Sequence, residues 1–158
     1  MLKIDVDDKD LQRGFRAMRK RVTNASPLMS EIGEIMLASV ERNFDVQGRF
    51  LNTAKEDWRG GNRKWVPLAA STIERRERRG HWPGKVLQET GGLAASVSKT
   101  VRSTSVDIGS NKKYARIQQL GGQTGRGHAT TIPPRKYLTV QVEDVSAIDK
   151  AVEHHLQV

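Results

Sequence analysis

This 158-residue chain predicts an α+β fold: an N-terminal helical pair, a small central antiparallel sheet and a C-terminal helix. Three observations carry that expectation. Apolar residues recur at helical spacing near both ends. Short alternating runs bounded by turn residues fill the middle. Helices and strands do not alternate regularly, as a parallel βαβ sheet would require.

Leu2, Ile4 and Val6 alternate with polar neighbours and predict a short first strand. Asp7 or Asp8 then caps a helix that places Leu11, Phe15, Met18 and Val22 on one buried face. Its other face carries Arg13, Arg16, Arg19 and Lys20. Asn24-Ala25-Ser26-Pro27 breaks this helix and starts another, with Ser26 as N-cap and Pro27 as first helical residue. Leu28, Ile32, Ile35, Met36 and Val40 form its apolar stripe, which runs on toward Phe44. The two helices are expected to pair antiparallel.

Residues 45–64 lose all periodicity, with Gly48, Asn52, Gly60, Gly61 and Asn62 among charges, and predict a long loop. Trp65-Val66-Pro67-Leu68 reads as an anchor returning the chain to the core. Ser71 is expected to cap a short polar helix from Thr72 to about Arg79, closed by Gly80-His81-Trp82-Pro83-Gly84. Val86 to Leu93 is a second anchor, and a short helix covers Leu93 to Ser96. Val97–Val101 and Ser105–Ile108 alternate as a hairpin, with a turn at Gly109-Ser110-Asn111. Tyr114 to Leu120 reads as a short helix, residues 121–131 as a glycine-rich flexible loop, and Tyr137 to Val142 as a strand. Asp144 or Ser146 starts a last helix with Val145, Ile148, Val152 and Leu156 on one face. The chain is read as a single domain over 1–158.

Composition narrows the chemistry. The chain has no cysteine, which excludes disulfides and thiolate metal sites and fits a reducing cytoplasm. Its N-terminus shows no signal-peptide pattern, and no apolar run approaches bilayer length. The hydrophobic fraction of 36% and aromatic fraction of 5% predict a modest core. The net charge is +9, and between Arg59 and Lys85 eight Lys/Arg face two Glu. Such a field attracts polyanions or an acidic protein, unless it is simply a solvated face. Arg75, Arg76, Arg78 and Arg79 are its densest part and are taken as facing DNA or a partner, with Trp58, Trp65 and Trp82 nearby for stacking.

Catalytic constellations are not assembled. His81 and His128 fall in loops, and His154 and His155 are adjacent, so their rings diverge on a helix. The glycine run 121–127 lacks the order of a phosphate-binding loop. No nucleophile elbow exists, and Glu56-Asp57 and Glu143-Asp144 read as solvated or capping residues. The expectation is no cofactor, no metal and no enzymatic activity.

Five segments in fixed order carry a family resemblance. They are Trp65-Val66-Pro67-Leu68 with Ser71-Thr72; Leu87 through Thr90-Gly91-Gly92-Leu93; Val106 to Asn111; Tyr114 to Gly122; and Ile132-Pro133-Pro134-Arg135-Lys136-Tyr137-Leu138. The series resembles the phage virion morphogenesis family, which includes tail completion proteins of P2-like phages and a corresponding protein of Mu-like phages. Where that family often has His-Gln before the double glycine, this chain has Gln118-Gln119. The resemblance implies a non-enzymatic assembly protein that completes the tail or joins it to the head, working as a ring with other neck and tail proteins. It implies residence in the host cytoplasm during assembly and then in the virion, without membrane contact. The scaffold or interface residues expected from it are Trp65, Pro67, Leu68, Thr72, Leu87, Thr90, Gly91, Leu93, Tyr114, Gln119, Gly121, Gly122, Pro134 and Arg135. The alternative reading is a basic nucleic-acid-binding accessory protein, and non-specific DNA contact is compatible with both.

Overall fold

The structure, a computed structural model, describes residues 9–49 and 63–157. In chain order it contains α1 (Lys9–Thr23), α2 (Ser26–Val46), α3 (Ala70–Arg78), β1 (Val97–Val101), β2 (Val106–Ser110), α4 (Ala115–Leu120), β3 (Gly122–Thr124), β4 (Thr130–Ile132) and α5 (Val142–Leu156). Short 3-10 turns precede β1 and separate β3 from β4. The architecture is the expected α+β. The expected strand at residues 1–6, Trp58 and most of the 45–64 loop lie outside the described residues.

The spine is α2. It packs on the β1–β2 hairpin along one side and on α5 along another. Asn24 Oδ1 accepts the Ser26 N–H at 3.2 Å, and the N-cap is Ala25, one residue before the expected Ser26. The helix ends where Gln47 turns left-handed at φ 59° and Gly48 follows at φ 112°. A Cβ on Gly48 would lie 2.7 Å from the Trp65 backbone nitrogen, so glycine meets both the conformational and the steric demand there.

The core gathers Val40 and Phe44 of α2 with Trp65, Leu93, Ala115 and Tyr137. Phe44 is its centre: the Trp65 ring stands edge-on at 5.6 Å and 76°, and the Tyr137 ring lies at 5.4 Å and 39°. The β1–β2 hairpin is antiparallel with Lys99 opposite Ile108, and Lys99 Nζ reaches back to the Ser30 carbonyl at 3.0 Å and Glu34 at 2.7 Å. β2 extends through Gly109 and Ser110, which were expected to form the turn.

Three expectations need correction. The partner of α2 is α5, while α1 meets the C-terminal end of α5. There the Arg21 guanidinium donates to the Gln157 carbonyl, and His155 Nε2 lies 3.3 Å from the Arg21 carbonyl. The apolar face of α1 is consequently open, with Phe15 62%, Met18 43% and Val22 64% exposed. Helical spacing identified the face but carries no information on what covers it. Second, residues 121–131 form the β3–β4 hairpin in place of an unstructured loop. Third, residues 137–141 form no regular strand, because side chains occupy their backbone groups. Among the described residues, no helix is long and apolar enough to cross a membrane.

The joint between α2 and α5 is polar and buried. Asp144, 1% exposed, accepts from the Ser39 hydroxyl and from the Gln141 N–H at 2.8 Å, which completes a capping box at the start of α5. Arg49 donates to the Ser39 carbonyl at 3.0 Å and to Asn43 Oδ1 at 3.0 Å, and pairs with Glu143. Asp144→Ala would leave the Ser39 hydroxyl and the Gln141 N–H without their acceptor. We expect a loss of about 2–4 kcal/mol in urea unfolding, with a smaller loss for Asp144→Asn.

Candidate functional site

A groove of about 960 Å³ runs between α3, the 86–93 segment and the β3–β4 hairpin. Most of its walls are irregular chain. Backbone N–H and C=O groups in such segments have no ladder and need other partners. Here polar side chains supply them. Arg76, reaching out of α3, donates from Nη1 to the Lys85 carbonyl at 2.9 Å and from Nη2 to the Val86 carbonyl at 2.8 Å. Gln47 accepts the Val86 N–H at 2.9 Å. Arg135 donates from Nε to the Val66 carbonyl at 3.0 Å and from Nη2 to the Pro67 carbonyl at 3.1 Å.

Gln119 in α4 is the densest of these ties. Its Oε1 accepts the N–H groups of Tyr137 at 2.9 Å and Leu138 at 3.0 Å, and its Nε2 donates to the Leu138 carbonyl at 2.9 Å. One side-chain amide thereby does for residues 137–138 what a neighbouring strand would do. The Trp65 indole donates to the Lys136 carbonyl at 3.0 Å, and Asn43 donates to the Tyr137 carbonyl at 2.9 Å. At Gly121, φ is 72° and a Cβ would lie 2.8 Å from Pro134 N, so the α4 terminus and the Pro133-Pro134 chain approach as only glycine permits.

The electrostatics centre on Glu89. Its carboxylate lies 3.6 Å from Arg75, 3.4 Å from Arg76, 3.6 Å from Arg79 and 3.5 Å from His81 Nδ1. Burial pushes its pKa up, but the His81 contact and the charges of Arg76, Arg75 and Arg79 outweigh it and hold the carboxyl below its ordinary range. Burial, and then the charge of Arg76, lowers the Arg135 pKa, and burial raises that of Tyr137.

Of the expected scaffold residues, the structure places Trp65 and Leu93 in the core. Pro67, Leu68, Thr72 and Leu87 line the groove, as do Thr90, Gly91, Tyr114 and Arg135, while Leu93 borders it from the core. Gln119, Gly121 and Pro134 form the junction beneath it. Gly122 opens β3. The Trp65-to-Leu68 anchor holds through the Trp65 ring and two carbonyls, since Val66 and Pro67 are exposed.

The basic helix divides. Arg75, Arg78 and Arg79 are exposed, whereas Arg76 is 5% exposed and turned inward, contrary to its expected outward role. The unpaired carbonyls of Lys85 and Val86 draw it in. Ser71 lies within the first turn of α3, whose N-cap is Ala69. Glu74 does not meet Arg78 through its carboxylate; Arg78 Nε contacts the Glu74 carbonyl at 3.4 Å. Trp65 is unavailable for stacking on a base. Sequence reasoning missed Glu89, although a signal exists: it is the only acid between Glu77 and Asp107, facing a helix rich in arginine.

Among the described residues no group of three or more His, Asp or Glu is placed to hold a metal. The site offers guanidinium groups, hydroxyls and apolar walls on a small α+β scaffold. The chain belongs to the phage virion morphogenesis family, whose model matches residues 6–157. It is similar to the Mu-like prophage FluMu G protein 2 of Haemophilus influenzae, with 25% identity over 158 residues that span 99% of this chain and 97% of that protein. No solved structure matches it.

Because its folded-state pKa is depressed, Glu89 contributes stability that is fully present above its unfolded pKa of about 4.3 and is lost as pH falls through the lower folded value. Glu89→Gln should therefore have a lower urea midpoint than the parent at neutral pH. The gap should start to close below about pH 4.3 and vanish once the parent carboxylate is protonated. A gap that stays constant through the acid range would contradict this.

Proposed function

We propose that this protein is a non-enzymatic structural subunit that completes the phage tail or joins it to the head, acting as a ring and contacting other neck and tail proteins. The observation that carries the proposal is the family match over residues 6–157, combined with the convergence of four of the five ordered segments on one groove. The open surface of the subunit supports it. The apolar face of α1 is open to a neighbouring subunit, and a contact between unlike surfaces of identical subunits generates a ring where its rotation closes. The protein would assemble in the host cytoplasm and remain in the virion. Non-specific contact with DNA is a secondary property of the exposed Arg75, Arg78 and Arg79, and its signature would be duplex affinity that falls steeply with salt.

Deleting the gene from the parent phage or prophage and inducing lysis should yield separate heads and unjoined or abnormal tails under the electron microscope. Normal infectious particles from the deletion would overturn the proposal.

A further inference from the structure

The groove contains a charge imbalance with a definite location. Four arginines line it, Arg75, Arg76, Arg79 and Arg135, against the single carboxylate of Glu89. Glu89 serves the α3 side, where its two oxygens are already shared among Arg75, Arg76, Arg79 and His81. Arg135 has no carboxylate among the described residues. It is 6% exposed, and only Nε and Nη2 are engaged, each on a carbonyl. A guanidinium has five N–H donors, so donors remain on a buried, permanently charged group. The neighbouring charge of Arg76 and the burial itself both disfavour its protonated form, as expected where a cation lacks its anion.

A second observation is independent of charge. Gln118 also lines the groove, and its Oε1 is buried without a hydrogen-bond partner among the described residues. A buried acceptor of this kind needs a donor. β4 borders the same groove and pairs along one edge with β3. Leu68, Leu87 and Ile132 add apolar wall.

We propose that the groove takes an extended acidic segment of another virion protein, one carboxylate seated on Arg135, flanking apolar residues against Leu68 and Leu87, and the Gln118 amide turning to accept a backbone N–H that Oε1 lacks in the free subunit. This rests on the assembly role proposed above. A carboxylate on a side chain or chain end reaches a guanidinium that is 6% exposed, whereas the phosphates of a rigid duplex lie on a surface too broad to enter. The α1 helix of a second copy is a poor occupant, since its residues 9–23 hold six Lys/Arg and one Asp and would bring net positive charge to the same cations.

The test is fluorescence anisotropy of the full chain with a labelled peptide of alternating Leu and Asp, with the same peptide carrying Asn for Asp, and with a short DNA duplex. The Asp peptide should bind about tenfold or more tightly than the Asn peptide. Arg75→Gln/Arg79→Gln should weaken it, and Arg16→Gln on α1 should not. Arg135→Lys, checked for folding by circular dichroism, should also weaken it. Equal binding of the two peptides, or a duplex that binds more tightly than the Asp peptide, would overturn the proposal. A deletion phage separates this inference from the reading beneath it. If the deletion abolishes infectious particles and Arg75→Glu/Arg79→Glu protein restores them fully, the groove proposal falls and the assembly role stands. If the deletion is harmless but the Asp peptide binds selectively, the assembly role falls, and with it the virion-protein occupant, while the groove's selectivity for an acidic segment stands.

Discussion

The constraint that shapes this molecule is the need to satisfy backbone hydrogen-bonding groups in chain that forms no ladder. Little of the region from residue 63 to 93 and from 133 to 141 is helix or strand outside α3. Unpaired N–H and C=O groups there would each carry a desolvation cost of about 1–3 kcal/mol. Arg76, Arg135, Gln119, Asn43, Gln47 and Trp65 remove that cost by bonding directly to the main chain. The rest of the fold holds these side chains in place. The α2 helix positions Asn43, its C-terminal turn positions Gln47, α3 positions Arg76, and α4 positions Gln119.

This arrangement has a functional consequence. A groove built on two-stranded sheets and loops is ordinarily soft, because few long-range ladders fix its walls. Here two walls are tied by arginine side chains, Arg76 on α3 and the buried Arg135. Arg135 fixes Val66 and Pro67, while Arg76 fixes Lys85 and Val86. A surface preformed in this way loses less entropy when a partner docks. That property suits a subunit whose work is shape matching during assembly. The aromatic core of Phe44, Trp65 and Tyr137 is small, and the ties let it organise a longer stretch of chain than its area alone would hold.

Much of the fold was legible because its signals are periodic. The stripe of α2, the β1–β2 alternation and the C-terminal helix each appear close to where spacing put them. What spacing cannot convey is which partner an element meets. The face of Phe15, Met18 and Val22 was visible, yet α2 packs on α5 and leaves that face open. Alternation at Tyr137 to Val142 suggested a strand, but Gln119 and Asn43 had taken the backbone groups that a strand neighbour would use. The same limit explains Arg76. Four arginines in five residues read as one basic surface, and nothing local reveals that the chain turning through Lys85 and Val86 needs one of them inside. The resemblance found the residues around the groove as an ordered series, while their convergence, and the placement of Glu89 and Gln118 among them, required three dimensions.

The central claim is that side-chain ties preform the groove in the free subunit. Native-state amide hydrogen exchange on the purified protein tests it most directly. The amides of Tyr137, Leu138 and Val86 lie outside any helix or strand, and among the described residues their acceptors are the side chains of Gln119 and Gln47. The account predicts slow exchange at these three positions, approaching that of the α2 interior, and rapid exchange at Tyr137 and Leu138 in Gln119→Leu. Exchange of these amides in the parent protein at the rate of an unprotected loop would contradict it.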